Sequence, residues 1–144
     1  MNRGVMLWVI WASFVAAIFL YLFIACTATV NYMPEVGVAP KPLMTIFAIE
    51  SVVMAAISVA MRRYALTGLL RKGKLKPGSP EEIKRTMTVF VAVWALSEAI
   101  AILGLVLRFN GYFVKDMLYF AGFALVMLAY HAPRSSIYLG QELE

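Results

Sequence analysis

The 144-residue chain is 62% hydrophobic and 15% charged, and its charged residues are grouped between long uncharged runs. That composition excludes an ordinary soluble domain and is typical of an integral membrane protein. A single cysteine excludes an intramolecular disulfide, and a single histidine argues against a zinc or haem site built by this chain alone. The formal net charge of +5 leaves a nucleic-acid partner open until the basic residues are placed.

The first apolar run, at about residues 5–30, predicts a retained transmembrane helix. At about 1.5 Å per residue it is longer than the hydrocarbon layer, so the helix is expected to tilt or to extend into the headgroups. A cleaved signal peptide would have a shorter apolar core. The segment Phe23-Ile-Ala-Cys26 resembles the cleavage site of a lipoprotein signal, but phenylalanine fits poorly three residues before the cysteine.

A proline-rich loop separates the first span from the second. Three prolines lie between Asn31 and Pro42, and a helix cannot continue through that segment. The second span is expected at about residues 43–61, and it contains Glu50. It stops at Arg62-Arg63-Tyr64, a basic and aromatic pattern typical of the membrane interface.

The third helix is expected to begin in water and to enter the membrane afterwards. Ser79-Pro80-Glu81-Glu82 has the pattern of a helix start, with serine at the N-cap, proline at the first helical position and a glutamate that forms a capping box. The membrane part is expected at about residues 87–107, which include Glu98. A tight turn at 108–111 then leads to a fourth span at about residues 112–130.

Orientation follows from the distribution of lysine and arginine. With four spans, both termini and the basic loop at 62–86 lie on one side of the membrane. That side holds ten basic residues, namely Arg3, Arg62, Arg63, Arg71, Lys72, Lys74, Lys76, Lys84, Arg85 and Arg134. The other side holds three, namely Lys41, Arg108 and Lys115. Both termini and the loop are therefore predicted to be cytoplasmic, and the loop's expected partners are anionic lipid headgroups rather than nucleic acid.

The predicted architecture is an all-α, single-domain bundle of four transmembrane helices over residues 1–144, with an N-in/C-in orientation. The expected place of this multi-pass protein is a prokaryotic inner (cytoplasmic) membrane. The sequence has no GxSxG, HExxH or Walker-type motif, so an enzyme is the class that it supports least. No cofactor and no metal site are expected. His131 is expected at the end of the fourth helix, where a cation is favourable.

Two glutamates lie inside predicted spans, where a charge costs roughly 2.5–3.5 kcal/mol on insertion scales. Glu50 and Glu98 stand near the middle of antiparallel helices, so their carboxyls are expected at nearly the same depth. If these helices pack as a hairpin, the two carboxyls would share a proton or both stay neutral. Such a pair would bind a proton or, with hydroxyl help from Ser97, Ser51 or Ser58, a small cation.

The same residues have a purely structural interpretation, and the sequence leaves both interpretations open. A protonated glutamate can be interhelical glue that contributes about 1 kcal/mol. Small residues at helical spacing would also permit close packing in a rigid bundle or an oligomer. They are Ala48, Ser51, Ala55 and Ser58 on the second helix and Ala95, Ala99, Ala101 and Gly104 on the third.

The third helix also carries a partial family resemblance. Its segment Ala95-Leu-Ser-Glu98-Ala-Ile-Ala-Ile-Leu-Gly104-Leu-Val resembles the carboxylate-bearing helix of the rotor proteolipid (subunit c) of rotary ATPases, and the hairpin of helices two and three is loosely similar. The resemblance implies that Glu98 binds a proton or a sodium ion. The family's glycine-rich partner helix and Arg-Gln-Pro loop have no counterpart, which implies a distant relative rather than a rotor subunit.

The sequence thus predicts a small membrane subunit whose carboxylate pair binds or relays protons or a small cation. The expected partners are the lipid bilayer and either further copies of the chain or other membrane subunits. The alternative is a non-catalytic structural, accessory or assembly subunit of a membrane complex, in which the two glutamates are interhelical hydrogen-bond glue.

Overall fold

The computed structural model describes residues 3–28, 41–64 and 80–133. Within these ranges all regular structure is helical, in four helices. They are α1 (Arg3–Thr27), α2 (Lys41–Arg62), α3 (Pro80–Phe109) and α4 (Val114–Tyr130). Three of them contain segments long and apolar enough to cross a membrane, namely Val5–Thr27, Pro42–Arg62 and Lys84–Phe109.

The helix ends differ from the predicted ones for local reasons. The second helix begins at Lys41, so Pro42 lies in its first turn rather than in the preceding loop. Proline is tolerated there because the amide that it lacks has no partner within the helix at that position. The third helix begins at Pro80, as the sequence pattern indicates. The predicted basic stretch at 65–79 and the tail after Pro133 lie outside the described residues.

The third helix is the centre of the bundle, and it packs against each of the other three. The first helix runs parallel to it, because Phe14 stacks near Trp94 and, further along both helices, Ala25 contacts Arg108. The second and fourth helices run in the opposite direction. Helices α1 and α4 also pack against each other, so α1, α3 and α4 form a compact trio to which α2 is joined through α3.

The small-residue stripes account for part of this packing. Ser51, Ala55 and Ser58 are buried on α2, and Ala101 is buried on α3. Ala48 and Ala95, at the edges of the two stripes, are exposed. Close helix approach is therefore limited to the segments where small residues face a neighbouring helix, as is usual in membrane bundles.

The contact between α3 and α4 is closest at Gly104. A Cβ atom added to Gly104 would lie 2.7 Å from the Cβ of Phe120 and 3.2 Å from the carbonyl oxygen of Met117. Only a residue without a side chain fits there. The predicted small-residue surface at Gly104 therefore packs against another helix of the same chain.

Replacing Gly104 by alanine is expected to lower the free energy of unfolding by about 1–3 kcal/mol, because α3 and α4 must separate to admit the methyl group. Titration of the purified protein with sodium dodecyl sulfate in mixed micelles measures this loss. Gly122 on α4 is the matched control, because a Cβ atom there would meet nothing within 4 Å. Alanine at Gly122 is expected to be neutral or slightly stabilising. Similar losses at both glycines would contradict the close contact.

Polar side chains close the bundle at the end where α1 and α3 terminate. The Arg108 guanidinium donates from Nε to the carbonyl oxygen of Ala25 at 3.1 Å and from Nη1 to that of Tyr112 at 3.2 Å. The Asp116 carboxylate accepts a hydrogen bond of 3.1 Å from the amide of Phe113 at the start of α4. These bonds satisfy backbone groups that helix ends leave free, which matters most where water is scarce.

Candidate functional site

A hydrogen bond between α1 and α3 forms the candidate site. Because these helices run parallel, Tyr21 reaches Glu98, and its hydroxyl donates to Oε1 at 2.5 Å. Both side chains are half-buried. The distance is at the short end for O–H···O hydrogen bonds. Glu98 therefore has a strong donor within the chain.

The second carboxylate oxygen of Glu98 remains accessible. Tyr21 is the one described residue that forms a hydrogen bond with Glu98, through Oε1. Among the described residues, every buried side-chain nitrogen or oxygen has a partner. Oε2 has none, so it must reach the surface of the bundle. The carboxylate is thus held on one side and open on the other.

The depth of Glu98 follows from its place in the apolar segment of α3. At about 1.5 Å per residue it lies about 21 Å from Lys84 and about 16 Å from Phe109. Glu98 therefore lies near the middle of the apolar segment of α3. A carboxylate at that depth is costly, and such residues most often have a functional role.

The predicted helper hydroxyls are engaged elsewhere. Ser97 donates to the carbonyl oxygen of Val93 at 2.8 Å, and Ser51 donates to that of Phe47 at 2.7 Å. Each bond returns to the preceding turn of the serine's own helix, as is common for serines inside helices. Both serines are buried, and neither forms a hydrogen bond with Glu98.

Glu50 does not join Glu98 in the site. It is exposed on α2, whereas its neighbour Ser51 is buried. Adjacent residues on a helix point about 100° apart, so burial of Ser51, Ala55 and Ser58 against the bundle turns Glu50 away from it. The structure thus places the two predicted carboxylates on different surfaces, and Tyr21 takes the position of partner to Glu98.

A second cluster of polar side chains holds the end of α4, and we name this cluster the α4 cap. One side chain from each of the other three helices donates to a carbonyl oxygen at the end of α4. These bonds join Trp11 of α1 to Leu128, Arg62 of α2 to Tyr130, and Trp94 of α3 to His131. Both indole bonds measure 3.0 Å. The cap supplies donors to carbonyls that would otherwise be costly in apolar surroundings.

The hydrogen bonds of the α4 cap specify the tautomer of His131. Ser58 uses its one proton to bond the carbonyl oxygen of Ala55 at 2.8 Å. It must therefore accept the 3.1 Å bond from Nε2–H of His131. The other ring nitrogen, Nδ1, lies 3.4 Å from Nη1 of Arg62, which can only donate. His131 is accordingly neutral, with its proton on Nε2.

The surroundings of His131 correct the expectation of a cation at the end of α4. Its side chain is fully buried. Burial, and after it the charge of Arg62, lowers the pKa of His131 to about 4. The favourable effect of a helix C-terminus on a cation is outweighed, because burial disfavours a second charge beside the guanidinium.

The comparisons with known proteins add no relative. No protein-family model, curated protein or solved structure matches the chain. Among the described residues, no three His, Cys, Asp or Glu side chains are placed to hold a metal ion. The function is therefore inferred from the residues and geometry of this chain alone.

Proposed function

We propose that this chain is a small multi-pass membrane subunit in which Glu98 binds and releases a proton at the surface of the helix bundle. The hydrogen bond between Tyr21 and Glu98 carries the proposal. Tyr21 stabilises the ionised carboxylate, and the open Oε2 gives a proton a place to bind. Both the protonated and the ionised form of Glu98 are thus favourable, and a proton carrier requires both forms.

A proton suits the site better than a metal cation. Hard cations such as Ca²⁺ take about six to eight oxygen ligands, and a single carboxylate with one phenol supplies fewer than that. The hydroxyls of Ser97 and Ser51 donate to their own helices instead. A proton needs only the free lone pair on Oε2. The proposed role requires neither a cofactor nor enzymatic chemistry.

The proposed topology has four spans with both termini in the cytoplasm. Helix α4 has 17 residues, or about 25 Å, which is slightly less than the hydrocarbon thickness. The α4 cap supports a fourth span of this length, because side chains of the other three helices satisfy its final carbonyls. The excess of lysine and arginine near the termini and the loop between α2 and α3 supports this orientation. The proposed location is a prokaryotic cytoplasmic membrane.

A structural role is the second candidate, and the same hydrogen bond favours it. The bond joins α1 to α3, and interhelical hydrogen bonds in membranes contribute about 0.6–2 kcal/mol. In that case the chain would be an accessory or assembly subunit without a proton-binding step. The two candidates differ in whether Glu98 exchanges its proton.

Labelling with dicyclohexylcarbodiimide tests proton binding, because the reagent reacts with protonated carboxyls in apolar surroundings. We expect an adduct on Glu98 in intact membranes, identified by peptide mass spectrometry, with a rate that falls as the pH rises. Tyr21→Phe is expected to change the yield of the adduct, because Glu98 loses the hydrogen bond from Tyr21. Glu50→Gln is the control variant and should leave the adduct on Glu98 unchanged.

The contrary results are equally specific. No adduct on Glu98 at any pH, or a rate independent of pH, would exclude reversible protonation and leave the structural candidate. Conversely, a Glu98→Gln variant that assembles normally but loses proton flux in reconstituted vesicles would exclude a purely structural role, because glutamine still accepts the bond from Tyr21.

A further inference from the structure

We infer that the outward face of α2 pairs with α2 of a second copy of this chain, with the two Glu50 carboxyls meeting at the interface. The inference goes beyond the proton-binding proposal, since it concerns a different helix surface and a different glutamate. It rests on the exposure of Glu50, its depth, and the spacing of the exposed residues around it.

Glu50 is an ionisable side chain on the outside of the bundle. At about 1.5 Å per residue it lies about 12 Å from Pro42 and about 18 Å from Arg62, near the middle of this apolar segment. Among the described residues, none forms a hydrogen bond with Glu50. A carboxyl exposed to lipid at that depth is costly, so a partner from outside the chain is expected to satisfy it.

The residues around Glu50 form a seam with heptad spacing. The α2 seam consists of Ile46, Glu50, Val53, Ile57 and Ala60. Their spacing alternates between four and three residues, as in the a and d positions of a left-handed coiled coil. All five are exposed. Left-handed packing at this spacing is also the commonest arrangement of transmembrane helices.

The opposite face of α2 is already occupied. Ser51, Ala55 and Ser58 are buried on the side that packs against α3. The helix thus has one face within the bundle and one free face. The seam is on the free face, so a partner helix can approach it without disturbing the fold.

A second copy fits the seam because a carboxyl is complementary to itself. Two copies inserted in the same orientation present parallel α2 helices, and in a parallel pair each a position faces its own equivalent. Two protonated Glu50 carboxyls would each donate one hydrogen bond and accept one. A single polar residue at an a position also sets the register and the number of helices in such a pair.

Disulfide cross-linking in membranes tests the pairing. The exposed Cys26 is first replaced by serine. Val53→Cys then places a thiol on the α2 seam. Val52→Cys is the matched control, because Val52 lies beside the seam and is 63% exposed, compared with 49% for Val53. We expect oxidation to give a covalent dimer with Val53→Cys and little with Val52→Cys. Equal cross-linking at both positions, none at Val53→Cys, or cross-linking of Val53→Cys to a different protein would overturn the inference.

Variants at Glu50 test the role of the carboxyl. In the Val53→Cys background, Glu50→Leu is expected to weaken dimer association by about threefold to thirtyfold, because the interhelical hydrogen bonds are lost. Glu50→Gln retains a donor and an acceptor and is expected to preserve the dimer. A dimer unaffected by Glu50→Leu would overturn the role of the carboxyl. Glu98→Gln should leave cross-linking unchanged, so failure of this inference is distinguishable from failure of the proton-binding proposal.

Discussion

Replacing Trp94 by alanine is expected to lower the free energy of unfolding by about 3–5 kcal/mol. The side chain is fully buried in the middle of α3. Its ring packs against Phe90 and Phe14, with centroids 5.4 Å and 6.1 Å away. Its indole N–H bonds the carbonyl oxygen of His131 in the α4 cap. Alanine would remove both the packing and the donor, leaving a cavity and an unsatisfied carbonyl.

The measurement is unfolding by sodium dodecyl sulfate in mixed micelles, followed by circular dichroism. Trp8 provides the matched control, since its side chain is 43% exposed on α1 and Trp8→Ala should change stability by less than about 1 kcal/mol. Trp94→Phe is expected to show an intermediate loss, because it keeps one aromatic ring in the core but loses the N–H donor and part of the side-chain volume. A Trp94→Ala variant as stable as Trp8→Ala would mean that the α4 cap does not hold the bundle together.

The helices themselves could be predicted from the sequence, because the membrane imposes a simple rule. Backbone groups must bond within each apolar segment, so a long uncharged run indicates a helix. Proline and capping signals refine the ends, as the start of α3 at Pro80 shows. The start of α2 was missed by two residues because Pro42 was interpreted as part of a loop, although proline is compatible with a first turn.

Which face of each helix turns inward was much harder to predict. In a soluble protein the apolar face marks the core, but in a membrane the lipid-facing side is as apolar as the packed side. Glu50 and Glu98 were therefore placed at similar depths without any signal for direction. The structure directs Glu98 towards Tyr21 and leaves Glu50 outside.

Tyr21 was missed as a site residue for a related reason. Tyrosines near the end of a span usually anchor the interface, so a single one in an apolar run attracts little attention. A usable signal existed, because Tyr21 has a hydroxyl among purely apolar neighbours on both sides. Pairing it with Glu98 required the parallel arrangement of α1 and α3, and no local pattern specifies that.

The α4 cap was also beyond prediction from the sequence. Its histidine gives the second prediction with a large expected effect on stability. Acidification is expected to destabilise the protein through His131. In the folded protein its pKa is lowered to about 4, whereas the unfolded chain should titrate near the ordinary value of about 6.5. Between these values the unfolded state binds more protons, so stability rises with pH. The contribution of neutral His131 to the stability of the folded protein is complete above about pH 6.5 and is lost as the pH falls towards 4.

The expected loss between pH 7 and pH 4 is about 2 kcal/mol, after allowance for screening by nearby solvent. The physical cause is that protonated Nδ1 would place an N–H against the Arg62 guanidinium, while Nε2–H remains committed to Ser58. Unfolding titrations in mixed micelles at several pH values measure how steeply the free energy of unfolding changes with pH.

The control must separate the contribution of His131 from that of the other ionisable groups. His131→Gln removes the titration, while its amide can still donate to Ser58. The variant is expected to be less stable at pH 7, and its free energy of unfolding should depend less on pH between pH 4 and 6.5. The difference between the two pH profiles isolates the histidine. An unchanged slope in His131→Gln would show that the acid sensitivity arises elsewhere. A flattened dependence would show that the end of α4 depends on a neutral imidazole bonded to Ser58 of α2.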